Sequence, residues 1–264
     1  MPGPGASAQE WTFPNPRKTR RRPAPPPAPT RTTTPMSASA IKAEHLSIRK
    51  AWSSSPCCTS LRSLMASRAA ALPAVKQAIC LGLGTFDPPS SSSESRRRTH
   101  HQLIAFQTMV EELESMTRTR IQCIFQEPLF TDQETSFLTG LGHRVVEHPA
   151  ACRAVTSDSL LFGIHLYREV YEEALDRALP AIFVGTDWDT WDGVSPGGVQ
   201  AVRLMHETYQ TFGFPQDGTT FSSTAVYWRP RPGRRAVGDH GGGEEHGDGP
   251  DKLGEHEGVV IDGV

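Results

Sequence analysis

Apolar residues are scarce in this chain. Hydrophobic residues make up 37% and aromatics 8% of its 264 positions. That excludes a core running through the whole sequence, and some of the chain is expected to have nothing to bury. Cysteine is scarce too: Cys57, Cys58, Cys80, Cys123 and Cys152 are odd in number and show no C-x-x-C spacing. This pattern reads as no disulfide framework and no zinc site, and it suits a reducing compartment. Cys80 and Cys123 lie inside apolar runs, where a thiol usually acts as a small buried hydrophobe. No apolar run approaches the roughly 20 residues that span a bilayer, and no signal-peptide apolar region follows Met1. Acids are nearly missing from the first 74 residues, where only Glu10 and Glu44 occur. The net charge of −2 therefore averages a basic amino end with an acidic carboxyl end, so no global case for nucleic-acid binding exists.

What is present divides the chain in three. Residues 1–74 are rich in Pro, Ser, Thr, Ala and Arg and read as a disordered basic tail. Pro23 to Pro29 favours extended polyproline conformation. The basic cluster Arg17 to Arg22 has three readings: a nuclear signal, a contact for an acidic partner, or a solvated charge run. A mitochondrial leader is disfavoured, because the prolines oppose the amphipathic helix it needs. From Arg231 onward Gly, Asp, Glu and His dominate, which reads as a disordered acidic tail. His240, His246 and His256 make only a weak metal-binding tract there.

Between the tails, residues 75–230 alternate short apolar runs with amphipathic stretches. Strands are predicted at 75–81, 121–125, 144–147, 160–162 and 181–184, with a looser one within 219–228. Helices are predicted from Thr99 to Met116, from Thr131 to Leu141, from Leu166 to about Ala178, and through Val202, Met205, Tyr209 and Phe212. Thr131-Asp-Gln-Glu134 has the spacing of a capping box, and Gly142 suits the end of that helix. This alternation predicts an α/β fold: a single Rossmann-like three-layer domain with a mostly parallel sheet, flanked by disordered tails.

In such a sheet, residues just after the strands gather at the carboxyl edge, where ligands bind. Gly82, Gly84, Glu127, His165 and Asp187 all occupy such positions and are the candidate ligand-binding residues. Glu127 and His165 would form an acid–base pair if they came within hydrogen-bonding reach. The bland readings are that the glycines only let the chain turn, that His165 caps a helix, and that Glu127 pairs with Arg96, Arg97 or Arg98. Gly82-x-Gly84 has no third glycine, and the polar insertion at 87–95 replaces the helix start that a dinucleotide fingerprint needs. Asp187, Asp189 and Asp192 fall at positions 1, 3 and 6, which excludes an EF-hand loop. Trp188 and Trp191 read as a lid over the sheet edge or as ordinary packing. Ser157, Ser159 and Ser195 sit in no nucleophile elbow. His143 and His148 read as surface histidines. No catalytic residue, metal or cofactor is assigned.

In their order, these pieces resemble the Sensitivity to Red Light Reduced (SRR-like) domain, most closely its fungal versions. The resemblance is carried by Cys80-Leu-Gly-Leu-Gly-Thr-Phe86, Gln102, Glu127-Pro128-Leu-Phe130, Glu134 and Leu141-Gly142. His165, Val184-Gly185 and Val226-Tyr-Trp-Arg-Pro230 complete it. The chain departs from the family at Gln126-Glu127-Pro128 in place of Tyr-Asp-Pro, at Ile164-His165-Leu166 in place of Pro-His-Cys, and at Gly185-Thr186 in place of Gly-Asn. The resemblance implies a regulatory protein linked to circadian timing, light signalling, or cytoskeletal or haem-related regulation. No settled catalytic activity comes with it. A cytoplasmic or nuclear protein is expected, with protein partners, a possible small-molecule ligand, no membrane and no specific nucleic acid. The competing reading is a small-molecule enzyme, foremost an S-adenosylmethionine-dependent methyltransferase, with Glu127 holding the ribose.

Overall fold

The computed structural model describes residues 35–68, 75–89, 92–194 and 198–230. The basic cluster at 17–22, the polyproline run and the tail from 231 onward lie outside the described residues.

Seven strands form one sheet in the order β3-β2-β1-β4-β5-β7-β6. They are β1 (Gln77–Leu81), β2 (Gln122–Gln126), β3 (Arg144–Val145), β4 (Ser159–Phe162), β5 (Ile182–Thr186), β6 (Gln210–Gly213) and β7 (Thr224–Trp228). The first five pair in parallel, while β7 is antiparallel to both β5 and β6. Most strand residues are apolar because both faces of the sheet are covered. The pleat sorts them. Cys80, Phe125, Leu160, Phe162, Val184 and Trp228 enter one core, and Ile79, Leu81, Ile124, Leu161, Phe183 and Tyr227 the other. The first core is covered by α3 (Ser93–Thr117) and α4 (Asp132–Gly140), and the second by α5 (Ala150–Arg153), α6 (Arg168–Leu175) and α8 (Gln200–Thr208). A short α7 (Trp188–Val194) follows β5. This is the Rossmann-like three-layer arrangement expected from the sequence. From β1 the chain steps outward to β2 and β3, then crosses to β4 on the other side of β1. The carboxyl ends of β1 and β4 are therefore the topological switch point.

The expected 74-residue tail needs correction. It holds α1 (Ala38–Ser53) and α2 (Pro56–Ser67). Both start on a serine cap: Ser37 Oγ accepts from the amide of Ala40 and Ser55 Oγ from that of Cys58, with Pro56 in the first turn of α2. Ile41, Trp52, Cys58, Leu61 and Met65 are buried in the same core as Phe106 and Phe137. Burying one such side chain stabilises by about 1.5–3 kcal/mol, enough to order a segment whose overall composition is polar. Arg49 pairs with Glu111 of α3, and Arg62 with Glu111 and Glu112. The Cys57 thiol donates to the carbonyl of Pro215 at 3.3 Å. The described domain thus takes in residues 36–68 as well.

Boundaries differ elsewhere for local reasons. Ser92 caps α3, which starts well before Thr99 and shortens the polar insertion. Phe212 sits in the edge strand β6, because α8 ends at Thr208 although the helical spacing of apolar residues runs on past it. β3 spans two residues where four were expected.

Two imidazoles lie under α1. His45 and His100 are buried, and their rings are 5.7 Å apart. Burial, then the nearby Arg49 charge, lowers His45 to about 4. Burial, then His45 itself, lowers His100 to about 3. Both rings are neutral in the folded protein at neutral pH, and both would charge near 6.5 once unfolded. As pH falls from 6.5 toward 4 the unfolded chain takes up protons that the folded chain does not, so stability falls with pH. The slope should reach about 1.4 kcal/mol per pH unit for each imidazole. Urea midpoints measured between pH 7 and pH 4 should show this fall, and His45→Phe should flatten it. In the same assay Trp52→Ala should cost about 3–5 kcal/mol at neutral pH. An unchanged midpoint would mean that α1 is not part of the cooperative unit.

Candidate functional site

The glycine turn after β1 opens the carboxyl edge. Gly82 and Gly84 have φ of 62° and 82°, a left-handed backbone that glycine adopts without a Cβ clash. Four amides of this turn have acceptors within the protein. Gly82 donates to the carbonyl of Gln126 at 3.1 Å. Gly84 donates to Glu127 Oε2 at 2.9 Å and Phe86 to Glu134 Oε1 at 2.6 Å. Asp87 donates to Thr85 Oγ1 at 3.0 Å. A phosphate-binding loop presents such amides to its ligand. Here two protein carboxylates accept the amides of Gly84 and Phe86 instead.

The switch-point crevice is also filled. A Cβ at Gly82 would come within 2.1 Å of Leu166 Cδ2, and one at Gly163 within 2.6 Å of Leu166 Cδ1. Leu166 packs into the second core from there. The leucine closes the crevice between β1 and β4 from inside the protein.

Glu134 is the anchor of the edge. It completes the predicted capping box of α4, with Oε2 accepting from the amide of Thr131 at 2.6 Å. Its other oxygen accepts from Thr85 Oγ1 at 2.6 Å and from the amides of Phe86 and Asp87. The residue is 0% exposed. Next door, the amide of Met36 donates to Asp87 Oδ2 at 2.7 Å and that of Ala38 to Gln133 Oε1 at 3.0 Å. The amino end of α1 is thereby tied to the glycine loop and to α4. The capping spacing revealed one half of Glu134's role. The other half was hidden because Thr85 lies 49 positions away.

The five candidate residues fall into two groups. Gly82, Gly84 and Glu127 form one, in which Glu127 Oε1 also accepts from the amide of Leu129 at 2.9 Å. His165 and Asp187 form the other, both held by the segment before β7. His165 has φ of 56°, and its Nε2 donates to the carbonyl of Ser222 at 2.7 Å. The amide of Asp187 donates to the carbonyl of Ser223 at 3.0 Å, while its Oδ1 accepts from Thr190 at 2.7 Å and starts α7. β1 stands between β2 and β4, at about 4.8 Å per strand spacing. No hydrogen bond joins Glu127 to His165, so the acid–base pair is not assembled. Glu127 does not meet the arginines either: Arg96 lies 3.7 Å from Glu44 and Arg98 3.4 Å from Glu94. Trp188 and Trp191 pack on the second core, and Trp191 meets Tyr171 edge-on.

Two features of the edge escaped the sequence. A groove of about 380 Å³ lies between the first turns of α3 and residues 217–220, lined by Arg97, Arg98, His101, Asp217, Thr219 and Thr220, among others. His101 Nδ1 pairs with Asp217 and its Nε2 accepts from Arg97, yet burial outweighs Asp217 and lowers its pKa. Leu129 and Tyr167, just beyond β2 and β4, are 64% and 82% exposed. A second cavity of about 430 Å³ lies beside the start of β2, away from this edge. Arg49 and Glu111 pair within it, and Gln107 bonds His143 at 3.1 Å.

Fold and edge together define a doubly wound Rossmann-like α/β protein whose switch-point crevice is closed by its own side chains. The family model of the SRR1 domain matches residues 57–228, well over half of the chain, and the protein belongs to that family. No curated protein sequence matches the chain significantly. The family match begins in α2 and leaves out α1, although α1 is built into the same core. No helix among the described residues is long and apolar enough to cross a membrane.

Glu134→Gln replaces one accepting oxygen with an NH₂ group facing donors. It should cost about 2–4 kcal/mol, through unsatisfied buried donors and a lost charge-assisted network. Glu127→Gln, only partly buried, should cost less. Chemical denaturation of the two variants side by side checks the order, and equal costs would remove Glu134 from its anchoring role.

Proposed function

We propose that this SRR1-family protein is regulatory and acts by binding, with a protein partner docking on the carboxyl edge of its sheet. The observation that carries this reading is the exposure of Tyr167 and Leu129 at that edge. Large side chains left in water after β2 and β4 match the aromatic and apolar anchors of protein interfaces. Occupied loop amides and the Leu166 plug support a surface contact over a ligand buried in the crevice. The groove beside Arg97 and His101 offers room for a small ligand as well. We assign the protein the role its family implies, in circadian timing or signalling, in the cytoplasm, the nucleus or both, and place it nearest the fungal members.

The second reading is the S-adenosylmethionine-dependent methyltransferase. Glu127 favours it, standing directly after β2 with a carboxylate oxygen 2.9 Å from the amide of Gly84. Its partners oppose it, since both carboxylate oxygens already accept backbone amides.

Cross-linking in cell extract, followed by mass spectrometry, tests the first reading against the second. Links to partners at 127–131 and 165–168 are expected in the native chain and should vanish in a Leu129→Ser/Tyr167→Ser variant of unchanged Tm. S-adenosylmethionine should leave Tm unmoved. A ligand at a hundred times its Kd adds about 2.7 kcal/mol to stability, so a rise that Glu127→Ala abolishes would replace the docking reading with the enzymatic one.

A further inference from the structure

On the face of the sheet opposite α3, the turn before α5, α5 itself and α6 bring three side chains of different chemistry to the end of β2. The thiol of Cys152, a ring nitrogen of His148 and a carboxylate oxygen of Glu173 lie within 4.8 Å of one another. Cys152 is 2% exposed, whereas the side chains of His148 and Glu173 are 54% and 38% exposed. The sulfur forms the floor of the cluster and the other two form an open rim. His148 Nε2 stands 3.5 Å from Glu173 Oε2. Behind them lies buried Gln126, whose Oε1 accepts from the amide of Ala151 at 2.9 Å. A backbone amide can only donate, so this bond fixes the orientation of Gln126. Its NH₂ group must face Cys152 Sγ and His148 Nδ1, each 3.3 Å away.

We propose that Cys152, His148 and Glu173 form a zinc-binding site. Thiolate sulfur, imidazole nitrogen and carboxylate oxygen are the three protein donor types zinc takes, and three of them leave a fourth position for water. Thiolate and carboxylate together cancel the charge of a divalent ion. Ligands at zinc distances sit about 3.3–3.8 Å apart in a tetrahedron. Closing the cluster therefore takes about an ångström, within the swing of the two exposed side chains. Without a cation, burial and the charge of Glu173 hold the Cys152 thiol above its usual range. Metal binding releases that proton. His148 then binds through the nitrogen facing Glu173, as the tautomer with hydrogen on Nδ1. That step gives up the 3.3 Å contact with Gln126, whose amide is left to donate to the thiolate sulfur, as outer partners of metal sites do. The site would fasten α5 and α6 to the end of β2, beside Glu127, and it does not depend on the docking reading. Because the cysteines show no zinc-finger spacing and His148 reads as a surface residue, the sequence conceals it. Only folding brings Glu173 to the other two.

The test uses the full chain, stripped with chelator and titrated with Co(II) and Zn(II). Cobalt should give a thiolate charge-transfer band with tetrahedral d–d bands, lost in Cys152→Ser and kept in Cys58→Ser. Zinc should raise Tm in the native chain, and Glu173→Gln, a change at the exposed rim, should need about tenfold more zinc. Metal held by the carboxyl-terminal histidines gives no thiolate band. A native chain without that band overturns the proposal, as does a band that survives in Cys152→Ser.

Discussion

Glu134 sits with no exposure to water and accepts hydrogen bonds from a threonine hydroxyl and three backbone amides. A carboxylate is costly to bury unless its lone pairs are filled, and here the α4 amino end and the glycine loop fill them. One side chain thereby caps a helix, sets the course of the chain after β1, and places Asp87 where it can receive the start of α1. The candidate edge inherits its shape from this bond set.

That shape changes the meaning of the glycines. A turn of this kind can leave amides pointing at a ligand, and the residue sequence is the same either way. The difference lies in what reaches the amides first. Glu127 and Glu134 reach them from the next βα unit, and Leu166 fills the space beside Gly82 and Gly163. The crevice that a Rossmann-like sheet reserves for ligands is used internally. The docking proposed above therefore falls to side chains outside the crevice, where Tyr167 and Leu129 stay exposed.

The parallel strands were legible because their periodicity is local and both faces demand apolar residues. The capping box of α4 was legible for the same reason, being contained in four adjacent residues. α1 was not, although Ile41, His45, Ile48 and Trp52 step at helical spacing. Composition taken over 74 residues swamped a stripe of four, and the apolar partners that order it, such as Phe106 and Phe137, lie in later segments. β6 was missed because the helical spacing of Val202, Met205 and Tyr209 continues to Phe212, and only pairing with β7 puts Phe212 in a strand.

Of the candidate site, strand ends alone located Gly82, Gly84, Glu127, His165 and Asp187 along one edge, since a parallel sheet carries every such position to the same side. Which of them touch was decided by folding. Glu127 meets Gly84 across adjacent strands, whereas His165 and Asp187 are held by the segment before β7. Chain order determines strand direction and edge, because these follow from short-range periodicity. Hydrogen-bond partners dozens of residues apart depend on strand order, and strand order exists only once the sheet has formed.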